Sequence, residues 1–125
     1  MTRTLDKLTR RVLLASFFYN MVGVLVFFPW LTLGRRLIGF PEAHFFYLSL
    51  VTIWIGSFGV LYLWLAITAR DERGFLIIAS IGKFAFWTLT VVFWLIGDFP
   101  IITPIVALGD LIGAITFTWW LLRTR

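Results

Sequence analysis

Four long apolar runs, at about 12–33, 45–67, 75–97 and 102–122, occupy most of a 125-residue chain. Roughly twenty apolar residues in a helix cross the hydrocarbon of a bilayer, so each run has the length of a transmembrane helix. A soluble domain is about half apolar, whereas 61% of this chain is hydrophobic and only 14% is charged. So short a chain has no interior large enough to hide that much apolar surface. The solvent must itself be apolar. The fold expected is an all-α integral membrane protein, a single domain spanning 1–125.

The segments between the runs, "GRRLIGFPEAH", "TARDERG" and "DFPI", are short. Short connections make sequential helices run antiparallel, giving an up-down-up-down bundle. The basic start "MTRTLDKLTRR" leads into an apolar run without a small-residue cleavage site, so it is expected to stay as a helix and not to be removed. Orientation follows from Lys and Arg. With the N-terminus inside, Arg3, Lys7, Arg10, Arg11, Arg70, Arg73, Arg123 and Arg125 lie on the inner side, against Arg35 and Arg36 outside. That bias places both termini in the cytoplasm. Trp30 and Trp94 fall near the outer boundary and Trp64, Trp119 and Trp120 near the inner one, as an aromatic belt requires.

The net charge of +5 flanks the apolar runs. It therefore reads as orientation and contact with lipid headgroups, not as a nucleic-acid surface. Arg35 and Arg36 are expected at phosphate headgroups, and "ARDER" as a solvated turn. The chain has no cysteine, which excludes disulfides, thiolate catalysis and Cys-based metal sites. One histidine and six acids leave little for a metal site, and none is expected. His44, beside Glu42, is read as interfacial and solvated.

Two charges interrupt the apolar runs. Lys83 sits in the third, about 13 Å from its inner start, and Asp110 in the fourth, roughly 12 Å from its outer end, at 1.5 Å per residue. A buried charge in hydrocarbon is neutralised or paired, and these two are the only opposite charges available within the runs. The sequence allows a direct contact, or a bridge through water or through the amide of Asn20 at a similar depth. Glycines surround the set: Gly23 after Asn20, Gly82 before Lys83, Gly109 and Gly113 in GxxxG spacing around Asp110, and Gly56 and Gly59 in the second run. Small residues let helices approach closely, so the polar groups are expected to face a shared interior. There Lys83, Asp110 and Asn20 act as a structural pin or as anchors for a ligand, with Trp87 and nearby Phe as walls.

The stretches "YNMVGVLVFFPW", "GFPEAHFFYL", "YLWLAITARDERG", "IGKFAFW" and "ALGDLIGAITF" together resemble small bacterial four-helix membrane proteins of the DoxX-like type. The resemblance implies a bundle in the bacterial inner membrane, with Asn, Gly-Lys and Gly-Asp positions at Asn20, Lys83 and Asp110. Some members of that type are linked to membrane redox systems that use quinones.

Three functions fit these residues. The first, which a small aromatic bundle with short loops and no catalytic constellation suits best, is a non-catalytic accessory or scaffold subunit, working with other membrane subunits or as a homo-oligomer. The second is a binder of a quinone or lipid-like amphiphile, and the third an oligomeric transporter or proton pathway. An independent enzyme fits least, because no nucleophile–base pair, metal set or phosphate loop is present.

Overall fold

The computed structural model describes residues 5–70 and 72–124, and all of its regular elements are helices. Helix α1 spans Lys7–Phe27, α2 Leu33–Ile38, α3 Phe45–Thr68, α4 Arg73–Leu95, α5 Ile102–Val106 and α6 Leu108–Arg123. Helices α1, α3 and α4, and α5 with α6, make four segments long and apolar enough to cross a membrane. Only 22–33% of each segment is buried against the rest of the protein, so most of their apolar side chains need an apolar solvent.

Local chemistry sets the ends. Helix α1 starts within the polar segment because the Asp6 carboxylate accepts from the Thr9 amide at 2.9 Å, an N-cap. It stops at Phe27 because Phe28 precedes Pro29, and a proline disfavours helical backbone in the residue before it. The first apolar run, read as 12–33, is therefore helix only from Lys7 to Phe27. Helix α3 is capped by His44, whose Nδ1 accepts from the Phe46 amide at 3.1 Å. Its other end turns at Ala69, in the left-handed region at φ 54°.

The fourth run is broken. The Asp110 amide bonds to Ala107 O at 3.0 Å, one residue short of the helical spacing. The carbonyl it leaves, Val106 O, accepts the Tyr19 hydroxyl from α1 at 2.9 Å instead. This exchange ends α5 and starts α6, placing Asp110 in the first turn of a helix.

Helix α1 packs along α3, α4 packs along α6, and α1 touches α6. Helices α3 and α4 are consecutive, yet they do not pack along their lengths. Their side chains meet near the connection, where Phe75 lies 5.5 Å from Phe58 and 5.6 Å from Tyr62 between ring centroids. The core lies at that end, around Leu13, Leu65, Leu76, Phe117 and Trp120. Trp120, placed in the aromatic belt from sequence, is a core residue 1% exposed, and the Arg73 guanidinium lies over its ring.

Arginines close three helix C-termini. Arg10 Nε donates to Ala66 O of α3 at 3.0 Å. Arg73 donates to Leu121 O of α6 at 2.9 Å and to Thr124 Oγ1 at 2.8 Å. Arg35 donates to Val26 O and Phe28 O at the end of α1, both at 2.9 Å. The last carbonyls of a helix have no partner of their own and carry its negative dipole end. At each of these ends a guanidinium from another element supplies the bond. Arg35 is thus fully buried and not at a headgroup, and Arg73 of "ARDER" ties α4 to α6 and is not part of a solvated turn.

Candidate functional site

Lys83 on α4 and Asp110 on α6 meet directly, Nζ to Oδ1 at 3.0 Å, with side chains 4% and 12% exposed. Asn20 does not bridge them, because its Nδ2 donates to Ile55 O of α3 at 2.9 Å. The Lys83 ammonium also lies 4.9 Å from the Tyr62 ring centroid and 5.7 Å from that of Tyr19, over faces that attract a cation.

The glycines divide by what they make room for. Gly23 faces Ile55 and Gly59 faces Asn20 and Met21, so both allow α1 and α3 to approach; Gly56 meets Val24 at ordinary contact distance. Gly109 and Gly113 seat side chains instead. A Cβ at Gly109 would lie 2.5 Å from the Tyr19 ring, and one at Gly113 would lie 3.0 Å from Lys83 Cδ. The GxxxG spacing around Asp110 therefore makes room for the tyrosine that breaks the helix and for the lysine that pairs with the acid. Gly82 departs from the packing expectation, since a Cβ there meets nothing within 4 Å.

Gly82 opens on a cavity of about 610 Å³ between α3 and α4, floored by α1. Its wall is overwhelmingly apolar, and among the described residues Lys83 and Asp110 are the only charged side chains on it. On α4 the lining residues Ile78, Gly82 and Phe86 recur every four residues, one side of the helix. Trp87, expected as a wall, lies about 40° to the far side of Lys83 at 100° per residue and does not line the cavity. The indole that does is Trp54 of α3, 65% exposed at the mouth. From the sequence, Trp54 and Trp87 are both too deep for the aromatic belt, and only Trp87 is taken as a wall.

Aromatic side chains gather at both ends of this space. At one end Phe40 packs against Phe27 and Phe86, at 4.9 and 6.1 Å between centroids. At the other lie Phe58, Tyr62 and Phe75. Because α3 and α4 both line the space and do not pack along their lengths, it opens sideways between them. Such a site can bind and orient a molecule by hydrogen bonds to the Lys–Asp pair while its apolar part fills the rest.

The glycines give a direct check. Gly109→Ala forces the Tyr19 ring, held by its bond to Val106 O, to move, and should cost about 1–3 kcal/mol by overpacking. Gly82→Ala meets open space and gains up to about 1 kcal/mol of helix propensity. Thermal unfolding in detergent should separate the two by opposite shifts in Tm.

Comparison with protein-family models, with curated proteins and with solved structures gave no match.

Proposed function

We propose that this chain is an integral membrane protein that binds an amphiphile, of the quinone or lipid-like kind, drawn sideways from the bilayer into the space between α3 and α4. One observation carries the reading: a cavity of about 610 Å³ opens between two helices rich in exposed apolar residues and holds a buried Lys–Asp pair on its wall. Pockets of roughly 300–1,000 Å³ hold single small molecules, and intramembrane charges gather at functional sites. The predominantly apolar wall favours this over a proton or solute pathway running across the membrane. An accessory subunit has no observation of its own, because exposed apolar surface is common to any membrane bundle.

The wider setting belongs to the same reading. The termini are cytoplasmic and the spans alternate in direction, supported by the charge bias and by the Arg10–Ala66 and Arg73–Leu121 bonds that join helix starts to helix ends. The membrane is the bacterial inner membrane and the relatives are DoxX-like, as the resemblance at Asn20, Lys83 and Asp110 implies.

Mass spectrometry of gently solubilised protein tests the binding reading. One amphiphile per chain should co-purify with the wild type and be lost from Gly82→Leu, whose side chain projects into the cavity. Equal retention by both, or no amphiphile above the empty-micelle level, would remove the reading; co-purifying subunits would favour the accessory role.

A further inference from the structure

We infer that the cavity selects an uncharged head, so that a neutral single-chain amphiphile is taken and the same chain carrying an anionic or cationic head is refused. The inference rests on the amphiphile-binding reading above and adds its chemical class.

Charge excludes an ionic head. Among the described residues Lys83 and Asp110 are the only charged side chains on the wall, and each is the other's partner at 3.0 Å. Wherever the shared proton sits, the pair sums to zero. An anion approaching Lys83 competes with Asp110 for one ammonium and lies beside a carboxylate; a cation at Asp110 meets the mirror problem. Either leaves a third charge uncompensated in apolar surroundings, which costs far more than any hydrogen bond returns.

Depth excludes a charged head as well. Lys83 stands ten residues from Arg73 and twelve from Leu95, the middle of α4. In a hydrocarbon layer about 30 Å thick that is roughly 15 Å from either interface. A phospholipid keeps its charged head at the interface, so only its acyl chain can reach this level. Entry past Trp54 and Gly82 is itself through hydrocarbon, and a charged head would have to be dragged along that route.

The polar groups still free indicate the head that fits. The Tyr19 hydroxyl is spent on Val106 O and the Asn20 Nδ2 on Ile55 O. The Lys83 ammonium has three protons and gives one to Asp110. What remains toward the cavity is the rest of that ammonium, the second oxygen of Asp110, the Asn20 amide oxygen and the Tyr62 hydroxyl, all on residues of the wall. Donors and acceptors so mixed suit a hydroxyl, carbonyl or amide head.

The test uses one chain length and three heads. Wild type and Gly82→Leu, in uncharged maltoside micelles, are unfolded thermally with increasing 1-dodecanol, dodecanoate or dodecyltrimethylammonium. The concentration dependence of Tm gives the apparent affinity of each. We expect 1-dodecanol to bind the wild type at least tenfold more tightly than either charged probe, and Gly82→Leu to lose that protection. A charged probe binding as tightly as 1-dodecanol overturns the head selection and leaves the cavity reading standing. If no probe protects the wild type more than Gly82→Leu, both fall. The comparison of heads is made on the wild type alone, so it holds even if Gly82→Leu does not fold.

Discussion

Asp110→Leu should destabilise the bundle by about 3–5 kcal/mol, the cost of leaving one partner of a buried ion pair alone. Lys83→Met should cost less, and the reason is the break at Ala107. Because the Asp110 amide bonds to Ala107 O, Asp110 is a first-turn residue of α6 and sits at the positive end of a helix dipole. Near a helix N-terminus a carboxylate gains roughly 0.3–2 kcal/mol, so Asp110 left alone keeps some compensation. Lys83 left alone is in the middle of α4, faces the positive end of α6 and has only the Tyr62 and Tyr19 rings to attract it. The double variant Lys83→Met, Asp110→Leu removes both charges and both desolvation costs, and should lie within about 1 kcal/mol of wild type, since hydrophobic replacement of a buried pair is often neutral or stabilising. Unfolding of the four proteins in one detergent gives the coupling energy directly. A double variant as unstable as Asp110→Leu would mean that the residues stabilise the fold through something other than each other. A stable double variant that no longer retains an amphiphile would assign the pair to binding.

The positions of the spans were legible because hydropathy over twenty residues reports the solvent, and the solvent acts on each helix separately. The meeting of Lys83 with Asp110 was legible as one of the allowed arrangements, because no other opposite charges interrupt the apolar runs. What hydropathy does not report is which side of an apolar helix meets which neighbour. Helix α3 is apolar on nearly every face, so nothing in its sequence says that it packs on α1 and leaves α4. The opening between α3 and α4, and with it the parts played by Trp54 and Phe86, could not be read from that pattern. Trp87 was chosen for its nearness in sequence to Lys83, but a neighbour four residues on is displaced around the helix as well as along it. The glycines show the same limit: Gly82 and Gly109 adjoin the two partners of one ion pair, yet one faces open space and the other a tyrosine ring. The break at Ala107 depends on a hydroxyl 87 positions away in sequence, and Pro104 alone does not signal it.

The second large effect belongs to Arg35, which sequence reasoning sent to the headgroups. All the hydrogen-bonding directions of its guanidinium are used: Nε and Nη2 reach the two Glu42 oxygens at 3.0 Å each, Nη1 reaches Val26 O and Phe28 O, and Nη2 also reaches Pro29 O at 3.3 Å. The planar fork therefore holds the end of α1, the turn after it and the loop before α3 in one arrangement. Arg35→Met removes the donors and leaves buried carbonyls unpaired, at roughly 1–3 kcal/mol for each group not otherwise satisfied. Summed over the carbonyls of Val26, Phe28 and Pro29, we expect a loss of about 3–5 kcal/mol. Arg35→Lys should recover little of it, because one ammonium cannot serve a bidentate carboxylate and several carbonyls from a single point. Glu42 adds a pH signature. Hydrogen bonding from Arg35 holds its carboxyl below the ordinary value, so the folded state binds that proton less readily than the unfolded chain. Its stabilising contribution is then complete above the ordinary carboxylate pKa of about 4.3, and it is lost as pH falls through the lower folded value. Glu42→Gln should remove this acid-sensitive part and leave the carbonyl bonds of Arg35 in place, so its unfolding should be flatter with pH while remaining more stable than Arg35→Met. Equal stability of Glu42→Gln and Arg35→Met at neutral pH would mean that the carboxylate, and not the cap on α1, is what Arg35 is buried for.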